Sequence, residues 1–367
     1  MHSRLDSEAA MKSLLLTIAL IFLTGPALAQ EVLNSDQVRA RFKDPDLLRE
    51  QDTRDEIRDQ TSDYVLDRDF DGLERMSQRL RSEKSLTPSG DWKLMLFYDA
   101  FAAIKFKIEE GRRLSASQME EFAKDWIKKY PKSPSASAVL TRTLLRRAWI
   151  ARGNGYIDTV TAKGWNQFRS FVALASQQLE SSKSYAAVDP DWYASKLEVM
   201  VHESRPIDEI YSMIREALHQ EPTYLPTIHS VIRPFLPKWG GSVDQVYAII
   251  SEIAQANEGD NRKIMFARAH MDLADNLGGG ERINIFGQNR LDWPTFKDAF
   301  DVLMSHYPTV WNKSVMAEFA CDARDKETVL SLLTQPVTHD RPWSNMRRYG
   351  DCVKWAWDLP PRIQSAK

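Results

Sequence analysis

IDEIYSMIREALHQEPTYLPTIHS, residues 207–230, holds one helix, a break and the start of a second helix. Ile207, Ile210, Tyr211, Ile214, Ala217 and Leu218 recur at steps of three and four. That spacing lays one apolar stripe along a helix and leaves the opposite face polar. Glu221-Pro222-Thr223-Tyr224 then interrupts the pattern. Proline suits the gap and the first turn of the next helix, because its missing N–H goes unused there.

The same plan recurs along the chain, at YPKSPSAS from Tyr130, DPDWYASK from Asp189 and YPTVWNKS from Tyr307. Further stripes run through Phe70, Leu73, Met76 and Leu80, through Val243, Val246, Tyr247, Ile250, Ile253 and Ala254, and through Phe296, Ala299, Phe300, Leu303 and Tyr307. No stretch of comparable length alternates with period two. The expected fold class is all-α: stacked helical hairpins forming a tetratricopeptide-like α–α superhelix, each hairpin burying its face against the next. Pro190 to Pro222 spans 32 residues, near the tetratricopeptide period of ~34. The other proline gaps do not share it, so the hairpins are of unequal length.

The N-terminus reads as a targeting segment. In MKSLLLTIALIFLTGPALAQ, Met11–Gln30, Lys12 precedes an apolar run from Leu14 to Leu23. Ala27-Leu28-Ala29 then supplies a small-residue cleavage pattern between Ala29 and Gln30. The run falls short of the ~20 residues a bilayer span needs. Residues 1–29 are therefore expected to be a signal peptide, with Met11 an alternative start. The mature protein would be periplasmic or secreted, with no stable membrane span. Residues 30–48 read as a flexible arm and 49–360 as the helical-repeat domain. A division into two subdomains is an option near 275–292, where the chain is glycine-rich.

Lys plus Arg number 49 and Asp plus Glu 51, so no net field argues for a nucleic-acid partner. The two cysteines are Cys321 and Cys352. In an oxidising compartment an even pair suggests a disulfide, the alternative being two buried thiols. No second Cys or His pair has ligand spacing, so neither a metal nor a cofactor is expected.

Recognised catalytic motifs are missing, including H-E-x-x-H, G-x-S-x-G and the phosphate-binding G-x-x-x-x-G-K-[ST]. Glu203-Ser204 in HESRP matches only a fragment of the lytic transglycosylase pattern. His219 and His229 are expected to be structural. In RRAWIARGNGYIDTVTAKGW, Arg146–Trp165, one reading is a polar pocket at a hairpin tip. Arg152 would pair with Asp158, and Trp149 and Tyr156 would form its walls. The other reading is a corner of aromatic packing closed by a glycine cap. In DPDWYASK, Asp189 is a plausible N-cap, Pro190 takes the first helical position, and Trp192 and Tyr193 point inward. RPFLPKWGGSVDQ, Arg233–Gln245, raises the question of an anion site at Gly240-Gly241. Lys238 stands before the glycines, however, and Ser242 with Gln245 spells a capping box. Trp239 would sit beneath the turn. The candidate binding residues are therefore Trp149, Arg152, Tyr156, Asp158 and Trp239.

The order ARGNGYIDTVTAKGW, DPDWY, EPTYLPT, FLPKWGGS, YPTVWNKSVMAEFACDARDKETVLSLL and CVKWA resembles a bacterial family catalogued as domain of unknown function 4034. The resemblance covers roughly residues 90–357 and is weakest from Gly278 to Trp293. It implies a tetratricopeptide-like fold and places both cysteines in family-like segments. It carries no activity and so transfers no catalytic residues. The expected role is a protein- or peptide-binding scaffold in the cell envelope. The alternative is an enzyme of unfamiliar type acting on an envelope polymer.

Overall fold

Each proline break falls at a helix boundary in the computed structural model, which describes residues 45–103, 114–153, 155, 157–237, 240–277, 284–286, 291–333 and 346–358. Among these residues there are fifteen α-helices and no strand, only an isolated bridge between Leu86 and Trp92. The helices are α1 Pro45–Leu66, α2 Phe70–Glu83, α3 Lys93–Ala103, α4 Ala116–Lys129, α5 Pro134–Arg152, α6 Ala162–Ala186, α7 Pro190–His202 and α8 Ile207–Gln220. They continue as α9 Leu225–Ile232, α10 Val243–Gln255, α11 Gly259–Leu277, α12 Trp293–His306, α13 Val310–Asp322, α14 Lys326–Leu333 and α15 Met346–Ala356. The protein is all-α, a stack of helical hairpins. Helix α1 begins at Pro45, a few residues inside the segment read as an arm. The proposed signal peptide, including Ala29 and Gln30, lies outside the described residues.

Two kinds of helix build the stack. Helices α2, α8, α10 and α12 are amphipathic: α8 buries Ile210, Ile214, Ala217 and Leu218 and exposes Asp208 and Glu209. Helices α5, α7 and α13 are buried on nearly every side. They form an inner layer, in which α5 packs on α7, α7 on α9 and α9 on α11. The amphipathic helices cover it from outside. Helices α11 and α12 pack on each other, and between them Phe286 packs edge-on against Trp293, Phe296 and Phe319.

The layer also closes on itself, because α13 returns to α1. The turn between α2 and α3, Thr87-Pro88-Ser89-Gly90-Asp91, fills the junction. Glu50 of α1 accepts from the N–H and hydroxyl of Ser89, at 2.8 and 2.7 Å. The Ser89 carbonyl accepts from Arg268 of α11 at 2.5 Å and from Asn312 of α13 at 3.1 Å. Asp91 sits between Arg54 and Arg268. Gly90 has φ +89°, and a Cβ there would meet Arg268 Nη2 and the Tyr307 ring at 2.9 Å. A residue with no side chain is therefore required on two counts.

The WGGS corner is a helix start. Ser242 Oγ accepts from the Gln245 N–H at 3.2 Å, and Gln245 Oε1 accepts from the Ser242 N–H at 2.9 Å. This is the capping box expected from the sequence. Gly240 has φ +91°, and a Cβ on Gly241 would collide with the Phe235 carbonyl. Lys238 and Trp239 lie outside the described residues.

Candidate functional site

The inner layer carries an open cleft of about 730 Å³. Its walls come from α3, α4, α5, α7, α9 and α11. Met95, Phe101, Met119, Leu145 and Leu225 give it an apolar floor. Asp99, Arg142, Arg146, Glu198, His229 and Asp272 line it with charge. Arg142 and Arg146 share one face of α5, being four residues apart. Helix α7 presents Ala194 and Ser195, so the middle of the cleft is shallow in side chains.

Helix α7 is set in place by its first turn. Asp189 caps it by accepting from the Asp191 N–H at 3.0 Å, with Pro190 at the first position. Trp192 and Tyr193 are buried as expected. The cap also anchors a network the sequence did not reveal. The Asp189 carboxylate accepts from Arg81 at 2.6 Å and from the Tyr98 hydroxyl. Asp191 accepts from the Tyr224 hydroxyl at 3.1 Å. Arg142 Nε lies 3.0 Å from Asp191 Oδ2, yet that oxygen has no aligned hydrogen bond. The contact there is a charge pairing.

Burial pushes the Asp191 pKa up to about 6, although Arg142 opposes the shift. Burial, then the neighbouring carboxylates, pushes Tyr98 and Tyr224 well above 10. Both phenols are therefore neutral donors at neutral pH. Arg142 also donates to Asp99 at 3.3 Å and so links the buried network to the cleft.

On the far side of α7, His229 Nδ1 lies 3.0 Å from Asp272 Oδ1. Asn276 Nδ2 supports Asp272 from 3.0 Å. The hydrogen bond to Asp272 raises the His229 pKa, against desolvation and the charge of Arg233. With Nδ1 facing the Asp272 carboxylate, the favoured neutral tautomer carries its proton on Nδ1, and His229 lines the cleft. Glu198 lies within 3.4 Å of both Trp149 Nε1 and His202 Nε2. Burial raises its pKa, but the bonds from His202 and Trp149 outweigh that and hold it low.

Of the five residues singled out from the sequence, Trp149 lines this cleft. Its ring packs edge-on against Phe168 and His202. Arg152 lies over the rings of Trp149 and Trp165 and donates to the carbonyls of Gly153 and Gly155, at 3.1 and 3.2 Å. It makes no ion pair with Asp158, which is exposed in a short 3₁₀ turn. The charged pair of the pocket reading is not formed; the cation–aromatic contacts and the bonds to the glycine carbonyls fit the corner reading. Tyr156 and Trp239 lie outside the described residues. His229, expected to be structural, is a half-exposed wall of the cleft.

Cys321 of α13 and Cys352 of α15 form a disulfide, with Cα atoms 5.9 Å apart. Among the described residues no helix is long and apolar enough to cross a membrane. Nor is any group of three His, Cys, Asp or Glu side chains placed to hold a metal ion. No protein-family model, no curated protein and no solved structure matches this chain.

Proposed function

We propose that this chain is an exported helical-repeat protein, periplasmic or secreted, whose inner cleft binds a peptide segment of a protein partner. Membership of the domain of unknown function 4034 family belongs to the same proposal. The observation that carries it is the cleft: peptide-scale volume, an apolar floor and a rim bearing both signs of charge. Helical-repeat folds bind extended partners on such inner faces, and binding sites are commonly apolar hollows with a few placed polar groups. The disulfide agrees with an oxidising compartment.

The test is a screen of short fluorescent peptides against the mature protein, repeated on Ser230→Trp. Ser230 is half-buried in the cleft wall, so an indole there should occupy the groove. Peptides that bind the parent and lose affinity for a folded Ser230→Trp support the reading. A screen with no binder sinks it.

A second reading, an enzyme acting on an envelope polymer, is favoured by one feature. His229 Nε2, with Asp272 behind it, has the arrangement of a general base. Turnover of envelope polymer by the parent, lost in His229→Ala, would support that reading. No turnover by the parent would remove it.

A further inference from the structure

The charged groups of the cleft are partly paired with one another. Each carboxylate on its wall already accepts from a protein donor: Asp99 from Arg142, Glu198 from Trp149 and Asp272 from His229. The donors hold capacity in reserve. A guanidinium has five N–H groups, and Arg142 spends two of its nitrogens on Asp99 and Asp191. His229 uses Nδ1 on Asp272, and among the described residues Nε2 makes no hydrogen bond. Arg142 on α5 and His229 on α9 flank α7, whose small Ala194 and Ser195 leave the space between them open. An acceptor bearing negative charge fits the free donors of Arg142 and a protonated His229.

We propose that the peptide enters the cleft through a carboxylate, held between the Arg142 guanidinium and Nε2 of His229 across α7. The proposal rests on the peptide-binding reading and names the group recognised. Nε2 donates only when the imidazole carries its second proton, since the first is held by Asp272. Binding a carboxylate therefore takes up a proton. Affinity is highest below the His229 pKa and falls as pH rises through it. The charged groups acting on His229 are Asp272 from α11, Glu198 from α7 and Arg233 from the turn after α9. Asp191, with its pKa near 6, touches Arg142 and titrates in the same window.

Three labelled pentapeptides of Ala and Leu separate the possibilities. One has a free C-terminal carboxylate, one is amidated with a single internal Glu, and one is amidated and neutral. Fluorescence anisotropy is read from pH 5.5 to 8.5 with the parent, His229→Gln and Asp272→Asn. One or both carboxylate peptides should bind about tenfold tighter at pH 6 than at pH 8, on the order of one pKa unit of coupling. Whichever binds identifies the source of the carboxylate. His229→Gln, which keeps a donor but cannot titrate, should flatten the pH profile. Asp272→Asn should move the profile to lower pH. Equal binding of the neutral peptide, blocked by Ser230→Trp, overturns the carboxylate proposal and leaves the cleft reading intact. So does a pH dependence that survives His229→Gln, because Asp191 would then be its source. Absence of binding by all three peptides, with no binder in the wider screen, overturns both.

Discussion

Arg268 Nη1 lies 2.9 Å from Asp91 Oδ1, although 177 residues separate the two in the chain. Both side chains are nearly excluded from water, at 8% and 11% exposure. The pair joins the turn after α2 to α11, and the Ser89 carbonyl extends the link to α13. A stack of hairpins held only by nearest-neighbour contacts would be free to open. Here its first and last thirds are bound by buried charge.

Removing one partner of such a pair costs about 3–5 kcal/mol, because the other charge stays buried. Arg268→Met should lie toward the lower end, near 3 kcal/mol, since Arg54 still faces Asp91. Urea unfolding reads the loss. Arg205→Met, which breaks an exposed pair with Glu209, is the control and should leave the urea midpoint almost unchanged. Equal small effects from both would show that the junction does not hold the fold together.

His270 gives the fold an acid limit. It is buried beside Tyr247, Phe266 and Phe296, donates Nδ1–H to the Phe266 carbonyl at 2.9 Å and leaves Nε2 without a partner. Burial lowers its pKa to about 4. The unfolded imidazole takes its proton near 6.5, so between those values only the unfolded chain is protonated there. The contribution is present above pH 6.5 and is lost as pH falls toward 4. The gap corresponds to about 3 kcal/mol. Asp191, with its pKa raised to about 6, works in the opposite direction over much of the same window. His270→Phe leaves Asp191 in place and should lose less melting temperature than the parent between pH 7 and 4.5. Parallel curves would place the acid sensitivity elsewhere.

The stripes legible in the sequence belong to α2, α8, α10 and α12, the helices with one wet face. Helices α5, α7 and α13 carry no such stripe because both faces are buried. Their positions had to come from the proline breaks and caps around them. The junction was hidden for a different reason. TPSGDW reads as a turn, and nothing local tells Ser89 or Asp91 that α1, α11 and α13 will converge on them. The cleft was equally illegible. Arg142, Glu198, His229 and Asp272 come from four helices and share no motif. Trp149 stands out in the sequence beside Gly153 and Gly155, and nothing there points to Glu198, its hydrogen-bond partner on α7.

Ser242 and Gln245 allow a local test. Ser242→Ala removes the oxygen that accepts from the Gln245 N–H and should cost about 1 kcal/mol. Gly241→Ala should cost more, because its Cβ would collide with the Phe235 backbone, which cannot swing aside like a side chain tip. Chemical unfolding of the two variants reads the order. A larger loss for Ser242→Ala would mean that the corner yields more easily than its geometry implies.

The disulfide should act on α15 rather than on the whole molecule. Cys352 sits in a small apolar cluster with Ala317, Ala320, Val329 and Ala356, apart from the main core. Beyond the crosslink, α15 is held to α13 by Arg348, 2.6 Å from Asp322 and 3.4 Å from Glu318. A bond closing a loop of 31 residues typically contributes ~3 kcal/mol through the unfolded chain. That exceeds what so few apolar side chains retain by themselves, so reduction should release α15 first. Mass spectrometry with and without reductant should differ by two hydrogens. Hydrogen exchange should then speed up across Met346–Ala356, while the amides of α7, deep in the main core, keep their protection. Uniform deprotection of both helices would mean that the crosslink stabilises the entire stack.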